Sequence, residues 1–293
     1  MKDLVYQRPL TLEHACAALG SPSARLLAGG TDLIVQLREG RRTASQLIDT
    51  KYIPCLQSVT TLPSGGISIG AAVCVSKLTC DKRVRSLYPA LARAVAMIGS
   101  KQIQNRATLG GNICNAAPSA DAVPPLVCYG AVCHVVGPSG VRTVPLIEIF
   151  AGPGRTSLAN SEILRSIEMP LPSRNLAACY MRFTPRREMD IAVAGVGSMI
   201  VCEEDGRISD ARIVLASVGP KPIRARSAEF ELVGQTAQAT TFARAGKAAA
   251  EEAKPITDTR GSASFRRKLI EVLARRTLAS CHGSYLAERV GEV

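Results

Sequence analysis

The chain has 293 residues, room for two cores at about 150 residues per domain, and its 46% hydrophobic and 20% charged content is that of an ordinary globular protein. No window approaches about 18 consecutive apolar residues, and MKDLVYQRPLTLEHA carries charges and Pro9 where an export signal needs an unbroken apolar stretch; the expectation is a cytoplasmic, non-integral protein. The net charge of +12 does not by itself point to nucleic acid: positive residues are dispersed, Trp is absent and aromatics are 4%, so acidic partners or an anionic cofactor account for it equally well.

Residues 1–55 read as helix, strand, helix, strand. Thr11 suits an N-cap with Leu12, Ala15 and Leu19 on one helical face; Arg25–Ala28 is a short strand; Leu33, Ile34 and Leu37 give a second helical stripe; Leu47 and Ile48 lie in the next strand. Residues 56–175 contain short extended runs broken by turns, as in PSGGISIGAAV and GAVCHVVGPSGVRTVPL, with helical spacing over Leu87–Ile98 through Leu91, Val95 and Ile98. The proline-bearing MPLPSRNLAA at 169–178 marks a boundary, which predicts domains 1–175 and 176–293. After it, IAVAGVGSMIVCEEDGRISDARIVLASVG predicts antiparallel strands turning at Glu203–Gly206. Residues 225–285 are helical, with Phe265, Leu269, Val272, Leu273 and Leu278 near one face.

The ten cysteines form no C-x-x-C pair, and His14, His134 and His282 are far apart. That spacing predicts mostly buried thiols, no metal site and no His-based catalytic triad.

Two glycine-rich loops stand out. In RLLAGGTDLIVQLREG the pair Gly29-Gly30 follows a strand and opens a helix, where unpaired backbone N–H groups suit a phosphate; Thr31 or Asp32 also suits a plain N-cap. The pattern G-x-G-x-x-G is missing, which argues against a standard Rossmann site. In NRATLGGNICNAAPSAD at 105–121, Gly110-Gly111 lies between Thr108 and Asn112, and small residues lead to Asp121. Small side chains let a flat or extended ligand approach the backbone, and Thr108, Asn112 and Asp121 offer hydroxyl, amide and carboxylate groups. A tightly packed loop between subdomains explains the same sequence.

LLAGGTDL together with TLGGNICNAAPSAD resembles the flavoprotein (medium) subunit of molybdenum hydroxylases, the xanthine dehydrogenase and carbon monoxide dehydrogenase family. The resemblance continues through EILRSIEMP, YMRFTPRREMDIAVAGVG and DTRGSASFRRKLIEVLARR, nearly the whole chain. It implies an α+β fold: a vanillyl-alcohol-oxidase-type (PCMH-type) FAD-binding domain of two subdomains, 1–55 and 56–175, then a small sheet-plus-helices domain. It implies that Leu26, Leu27, Ala28, Gly29, Gly30, Thr31, Asp32 and Leu33 wrap the FAD pyrophosphate and adjoining parts, with Thr108, Gly110, Gly111 and Asn112 as the opposing loop. Asp121 matches a position that hydrogen-bonds the adenosine portion, Ile98 an apolar position on the cofactor, and Leu164 a backbone position beside the adenine. Arg182 stands where xanthine dehydrogenases have a lysine near the flavin.

No convincing set of catalytic acids, bases or nucleophiles is present, as the resemblance leads one to expect, because the flavin carries the redox chemistry. The implied role is electron transfer. A large subunit with the molybdenum-pterin cofactor hydroxylates substrate, a small subunit with two [2Fe–2S] clusters relays electrons, and FAD in this chain passes them to NAD, a quinone or oxygen, in a dimer of heterotrimers. The cysteine-bearing insertion that adds a [4Fe–4S] cluster in the 4-hydroxybenzoyl-CoA reductase branch has no counterpart here. By charge alone Arg186–Asp190, RREMD, is a solvated turn; the resemblance implies a mobile segment beside the flavin ring. The basic stretch with Arg266, Arg267, Lys268, Arg275 and Arg276 reads either as a solvated face or as a docking surface for the other subunits. The competing functions are a free-standing FAD oxidoreductase and a flavin-free assembly scaffold.

Overall fold

The computed structural model describes residues 4–186 and 189–290, so Arg187 and Glu188 of the RREMD segment lie outside the described residues. The first unit is a parallel sheet in the order β1-β3-β2, formed by β1 (Val5–Gln7), β2 (Ala24–Leu27) and β3 (Gln46–Asp49). Helices α1 (Leu12–Ala18) and α2 (Leu33–Arg38) connect its strands. Thr11 caps α1 by accepting the His14 N–H, as its position in the sequence predicts. The edge strand β1, only three residues long, was not expected.

Next come β4 (Val59–Thr61), β5 (Ile67–Gly70), α3 (Val75–Cys80), α4 (Lys82–Leu87), α5 (Pro89–Ala96), α6 (Lys101–Gln104), α7 (Leu109–Cys114) and α8 (Val123–Cys128). They are followed by β6 (Val132–Gly137), β7 (Gly140–Pro145), the small hairpin β8 (Phe150–Gly152) with β9 (Arg155–Thr156), and β10 (Ile163–Met169). Five of these strands form an antiparallel sheet, β4-β5-β10-β6-β7. The helix expected over 87–98 is broken at Tyr88, where ψ turns to 57° ahead of Pro89, because a residue before proline is pushed out of the helical region. Leu91 and Val95 are fully buried, as their spacing predicts, and Ile98 is half-buried just past the helix.

The last sheet is antiparallel, β11-β12-β13-β14, built from β11 (Leu176–Phe183), β12 (Ala194–Cys202), β13 (Ile208–Ala216) and β14 (Ile223–Arg224). The turn at Glu203–Gly206 joins β12 to β13, with the Gly206 N–H bonded to the Glu203 carbonyl at 3.0 Å. Helices α9 (Arg226–Phe230), α10 (Ala239–Glu252) and α11 (Ala263–Val290) follow. The buried run AGVGSMIVC in β12 reflects a sheet covered on both faces. Met199 and Val214 join the core shared with residues 12–169, while Val196, Ile200, Ile213 and Leu215 pack with α10 and α11. Helix α8 reaches across the two units: a Cβ at Gly197 would lie 2.9 Å from Pro124 Cβ, so glycine there admits the helix.

Two expectations for α11 are corrected. Phe265 is 43% exposed and pairs edge-on with Phe183; the buried face is carried by Ile270, Ala274, Leu278 and Cys281. Arg266 is buried rather than part of a basic surface: it donates to the Val193 and Ser217 carbonyls and pairs with Asp258. Arg267, Lys268, Arg275 and Arg276 are exposed. All ten cysteines are free thiols, five of them buried, and only Cys55 and Cys80 are exposed; no metal-holding group of His, Cys, Asp or Glu occurs among the described residues.

Candidate functional site

A cavity of about 840 Å³ lies where the first parallel sheet, the segment 98–121, β10 and the end of β11 meet. That volume is at the upper end of the roughly 300–1,000 Å³ common for small-molecule and cofactor sites. Its wall includes Leu26, Ala28, Gly29, Gly30, Thr31, Asp32, Leu33, Ile98, Thr108, Gly110, Gly111, Asn112, Asp121, Leu164 and Arg182. Leu27 is the one residue of the expected set outside this wall; its side chain turns back toward Gly30.

The first loop leaves β2 under tight control. Thr50 Oγ1 donates to the Leu27 carbonyl at 3.4 Å, and Lys51 Nζ donates to the Ala28 carbonyl at 2.8 Å while pairing with Asp49 at 2.7 Å. Asp49 is almost fully buried. Burial alone would raise its pKa, but hydrogen bonds from Lys51 and Tyr6 hold it below the usual carboxylate value. Beyond Ala28 the backbone N–H groups of Gly29, Gly30, Thr31 and Asp32 have no acceptor among the described residues. Asp32 occupies the N-cap of α2 in a helical conformation and makes no capping bond, so the plain-cap reading of this loop is not what the chain adopts. Gly30 has φ +77°, the left-handed region that favours glycine. Gly29 answers a different demand: a Cβ there would lie 2.7 Å from the Arg106 carbonyl carbon and 2.8 Å from Ala107 Cα. The two glycine loops therefore touch backbone to backbone.

Where the sequence suggests an open loop over 105–121, the structure has the short helix α7, capped by Thr108, whose Oγ1 accepts the Gly111 N–H at 3.0 Å. The Leu109 N–H donates to Val73, the Gly110 N–H to Ala71 and the Asn112 N–H to Thr108, all on backbone carbonyls. Every N–H of that helix start is thus satisfied within the chain. Gly110 lines the cavity, and its need for glycine comes from packing against the protein itself, since a Cβ would lie 2.5 Å from Ala71 Cβ. What this loop offers a ligand is side-chain chemistry. Asn112 Oδ1 is buried without a partner among the described residues, an arrangement that costs free energy until something donates to it.

Asp121 and Arg182 both lie in the wall and pair with each other. Tyr180 Oη also donates to Asp121, at 2.7 Å, and Arg182 Nη2 donates to the Met97 carbonyl at 3.0 Å. Burial pushes the Asp121 carboxyl up to about 6, against the pull of Arg182 and Tyr180. Leu164 is buried on β10 at a register irregularity between Leu164 and Ser166, where the Arg165 carbonyl accepts from Ala71. Sequence reasoning passed over Tyr180, Lys51, and the bond from Gln36 Nε2 on α2 to Asn115 Oδ1 at 3.0 Å. Tyr180 was within reach, since residues two apart on a strand share a face and Arg182 had been singled out. The other two are tertiary contacts with no local pattern.

The donors of the first loop, the unpartnered Asn112 oxygen and the cavity's size suit an extended cofactor with an anionic centre. Residues 2–172 match the FAD-binding domain of molybdopterin dehydrogenases, and residues 179–281 match the C-terminal domain of carbon monoxide dehydrogenase flavoproteins. Fold and site together are those of an FAD-binding oxidoreductase subunit. The chain belongs to the family of FAD-binding subunits of the molybdopterin dehydrogenases, the family its glycine loops resemble. It is 32% identical over 277 residues to a xanthine dehydrogenase FAD-binding subunit of Escherichia coli O157:H7, covering 94% of each chain. It is 31% identical over 271 residues to the 6-hydroxypseudooxynicotine dehydrogenase complex subunit alpha of Paenarthrobacter nicotinovorans, covering 92% of this chain and 91% of that one. Among solved structures, a carbon monoxide dehydrogenase from Hydrogenophaga pseudoflava, in a form lacking the Mo-pyranopterin moiety of its molybdenum cofactor, superposes with a TM-score of 0.92. Its sequence identity is 29%, and the match covers 96% of this chain and 98% of that one. No helix among the described residues is long and apolar enough to cross a membrane.

Proposed function

We propose that this chain is the electron-transfer subunit of a cytoplasmic molybdenum hydroxylase, accepting electrons from the [2Fe–2S] clusters of a small subunit and delivering them to an external acceptor such as NAD, a quinone or oxygen. The organic substrate is hydroxylated in a separate large subunit that holds the molybdenum-pterin cofactor, and the assembly is a dimer of heterotrimers. Residues 1–175 form the PCMH-type FAD domain, with subdomains 1–55 and 56–175, and residues 176–293 the C-terminal domain. The observation that carries this reading is one cavity that gathers both glycine loops, where the N–H groups of Gly29 to Asp32 have no acceptor among the described residues and suit an anionic guest.

When bound, FAD supplies the redox chemistry. The chain's own residues hold and shield it. Gly29, Gly30, Thr31 and Asp32 present backbone donors to the pyrophosphate; Asn112 takes a donor from the cofactor or its sugar; Ile98 and Leu164 supply apolar wall; Asp121 and Arg182 close the far side. Among the described residues lining the cavity, no hydroxyl or thiol is hydrogen-bonded to a carboxylate or imidazole, in keeping with a subunit that moves electrons rather than protons in substrate.

The test is to purify the chain alone and with its co-expressed partners. A visible flavin spectrum, with FAD released on denaturation, is expected from the chain alone. Substrate is expected to bleach that spectrum only when the molybdenum and iron–sulfur subunits are present. Direct bleaching of the isolated chain by an organic substrate would overturn the electron-transfer reading in favour of a free-standing oxidoreductase.

A further inference from the structure

Behind the cavity wall sits a fully buried phenol that does not itself line the cavity. Tyr180 lies on β11 opposite Gly197, and its hydroxyl is accommodated by Gly195, where a Cβ would lie 2.8 Å from Tyr180 Oη. The hydroxyl donates to Asp121 Oδ1 at 2.7 Å, while Arg182, on the same strand face, takes Asp121 Oδ2. Among the described residues, the charged and titratable partners of Asp121 are Tyr180 and Arg182. Both come from β11; Gly195 of β12 lies behind the phenol, and Asp121 is followed by apolar Ala122 and by Val123, the first residue of α8. The end of α5 contributes the Met97 carbonyl, which Arg182 binds.

Two opposing influences meet at this carboxyl. Burial favours its protonated form, and the guanidinium and phenol favour the ionised one. Tyr180 itself stays protonated, because burial and the neighbouring Asp121 hold its pKa well above 10.0. It is therefore a fixed donor. With Asp121 ionised, the Asp121–Arg182 pair has no net charge; with Asp121 protonated, an uncompensated guanidinium remains in the wall.

We propose that Tyr180 is a positioning residue of the cofactor site: its hydroxyl keeps Asp121 ionised against Arg182, so that this pair in the wall carries no net charge at pH 7 and the reduction potential of the flavin is held down. The inference rests on FAD occupying this cavity with its flavin end toward Arg182, the side that the Arg182 position implies, rather than with its adenosine portion against Asp121. A positive charge near a flavin favours the reduced, more negative form, so losing the phenol hydroxyl raises the potential.

The experiment compares the FAD-loaded chain with Y180F, D121N and the double variant, measuring flavin content and midpoint potential between pH 5 and 8.5. In the wild type the potential breaks from its normal pH slope near pH 6, and D121N abolishes the break. Y180F retains FAD, has a higher potential at pH 7, and moves the break upward by about one to two pH units, the scale of one hydrogen bond to a charged group. Adding Y180F to D121N changes nothing further. An unchanged potential in FAD-loaded Y180F overturns the proposal, as does, even if Y180F does not fold, a D121N potential at pH 7 no higher than that of the wild type. A wild-type chain that takes up no FAD counts against the cofactor reading instead. In that case the infrared carboxyl band of Asp121, assigned by its loss in D121N, tests the Tyr180 step: it should titrate near pH 6 in the wild type and higher in Y180F.

Discussion

In the first glycine loop the backbone N–H groups from Gly29 to Asp32 are unpartnered among the described residues, whereas in the second those of Leu109, Gly110, Gly111 and Asn112 are all bonded within the chain. Both loops read alike in sequence: strand or turn, paired glycines, a hydroxyl residue and a short helix. Their glycines are required for different reasons. Gly30 needs its left-handed φ, while Gly29 and Gly110 are glycine because the Arg106–Ala107 backbone and Ala71, respectively, press against them. A doubled glycine thus marks close approach, and only the hydrogen-bond inventory tells whether the approaching group is a ligand or the protein itself.

The largest expected effect comes from filling a contact that holds the two loops together. Gly29→Val drives a side chain into the Arg106–Ala107 backbone and is expected to cost about 1–3 kcal/mol or more, lowering the melting temperature of the FAD-free chain as well as its FAD content. A normal apoprotein melting temperature would break the claim that Gly29 serves loop-to-loop packing. At the end of the second loop, Asp121 is expected to give the reverse of the usual carboxylate pH trend. Its folded-state pKa of about 6 lies above the ordinary 3.8, so its stabilising contribution is fully present below about pH 4 and lost as pH rises through 6. Relative to D121N, the wild-type apoprotein should lose stability between pH 4.5 and 7, as followed by denaturant titration.

Smaller effects sharpen the contrast. Gly30→Ala must adopt φ +77° and is expected to cost about 1–2 kcal/mol, with the nearest obstacle a flexible Leu27 methyl 3.0 Å away. Thr108→Ala removes the α7 cap and should cost about 1 kcal/mol. Thr31→Ala, which removes no hydrogen bond among the described residues, should change apoprotein stability by less than about 0.5 kcal/mol yet weaken FAD retention on dialysis. Equal stability losses for Thr31→Ala and Thr108→Ala would erase the distinction between the loops.

Much of this architecture was legible because period and punctuation act locally. The Thr11 cap, the stripe of α2, the β12–β13 hairpin around Glu203–Gly206 and the helical C-terminal region all follow from residue spacing. The cavity wall was legible because both glycine loops carry the family's pattern, and nearly every residue picked from it faces one space. Long-range contacts were not legible. Nothing near Arg266 announces that its guanidinium is buried under Val193 and Ser217. Helical periodicity also cannot choose which stripe of a long helix is buried when several residues are apolar, which is why Phe265 was misplaced.

Amide hydrogen exchange of the chain with and without FAD tests the central claim most directly. The account predicts that the amides of Gly29 to Asp32 exchange quickly in the apoprotein and become protected when FAD binds, while those of Leu109 to Asn112 are already protected without it. Protection gained by Leu109 to Asn112 on FAD binding, with Gly29 to Asp32 unchanged, would contradict it.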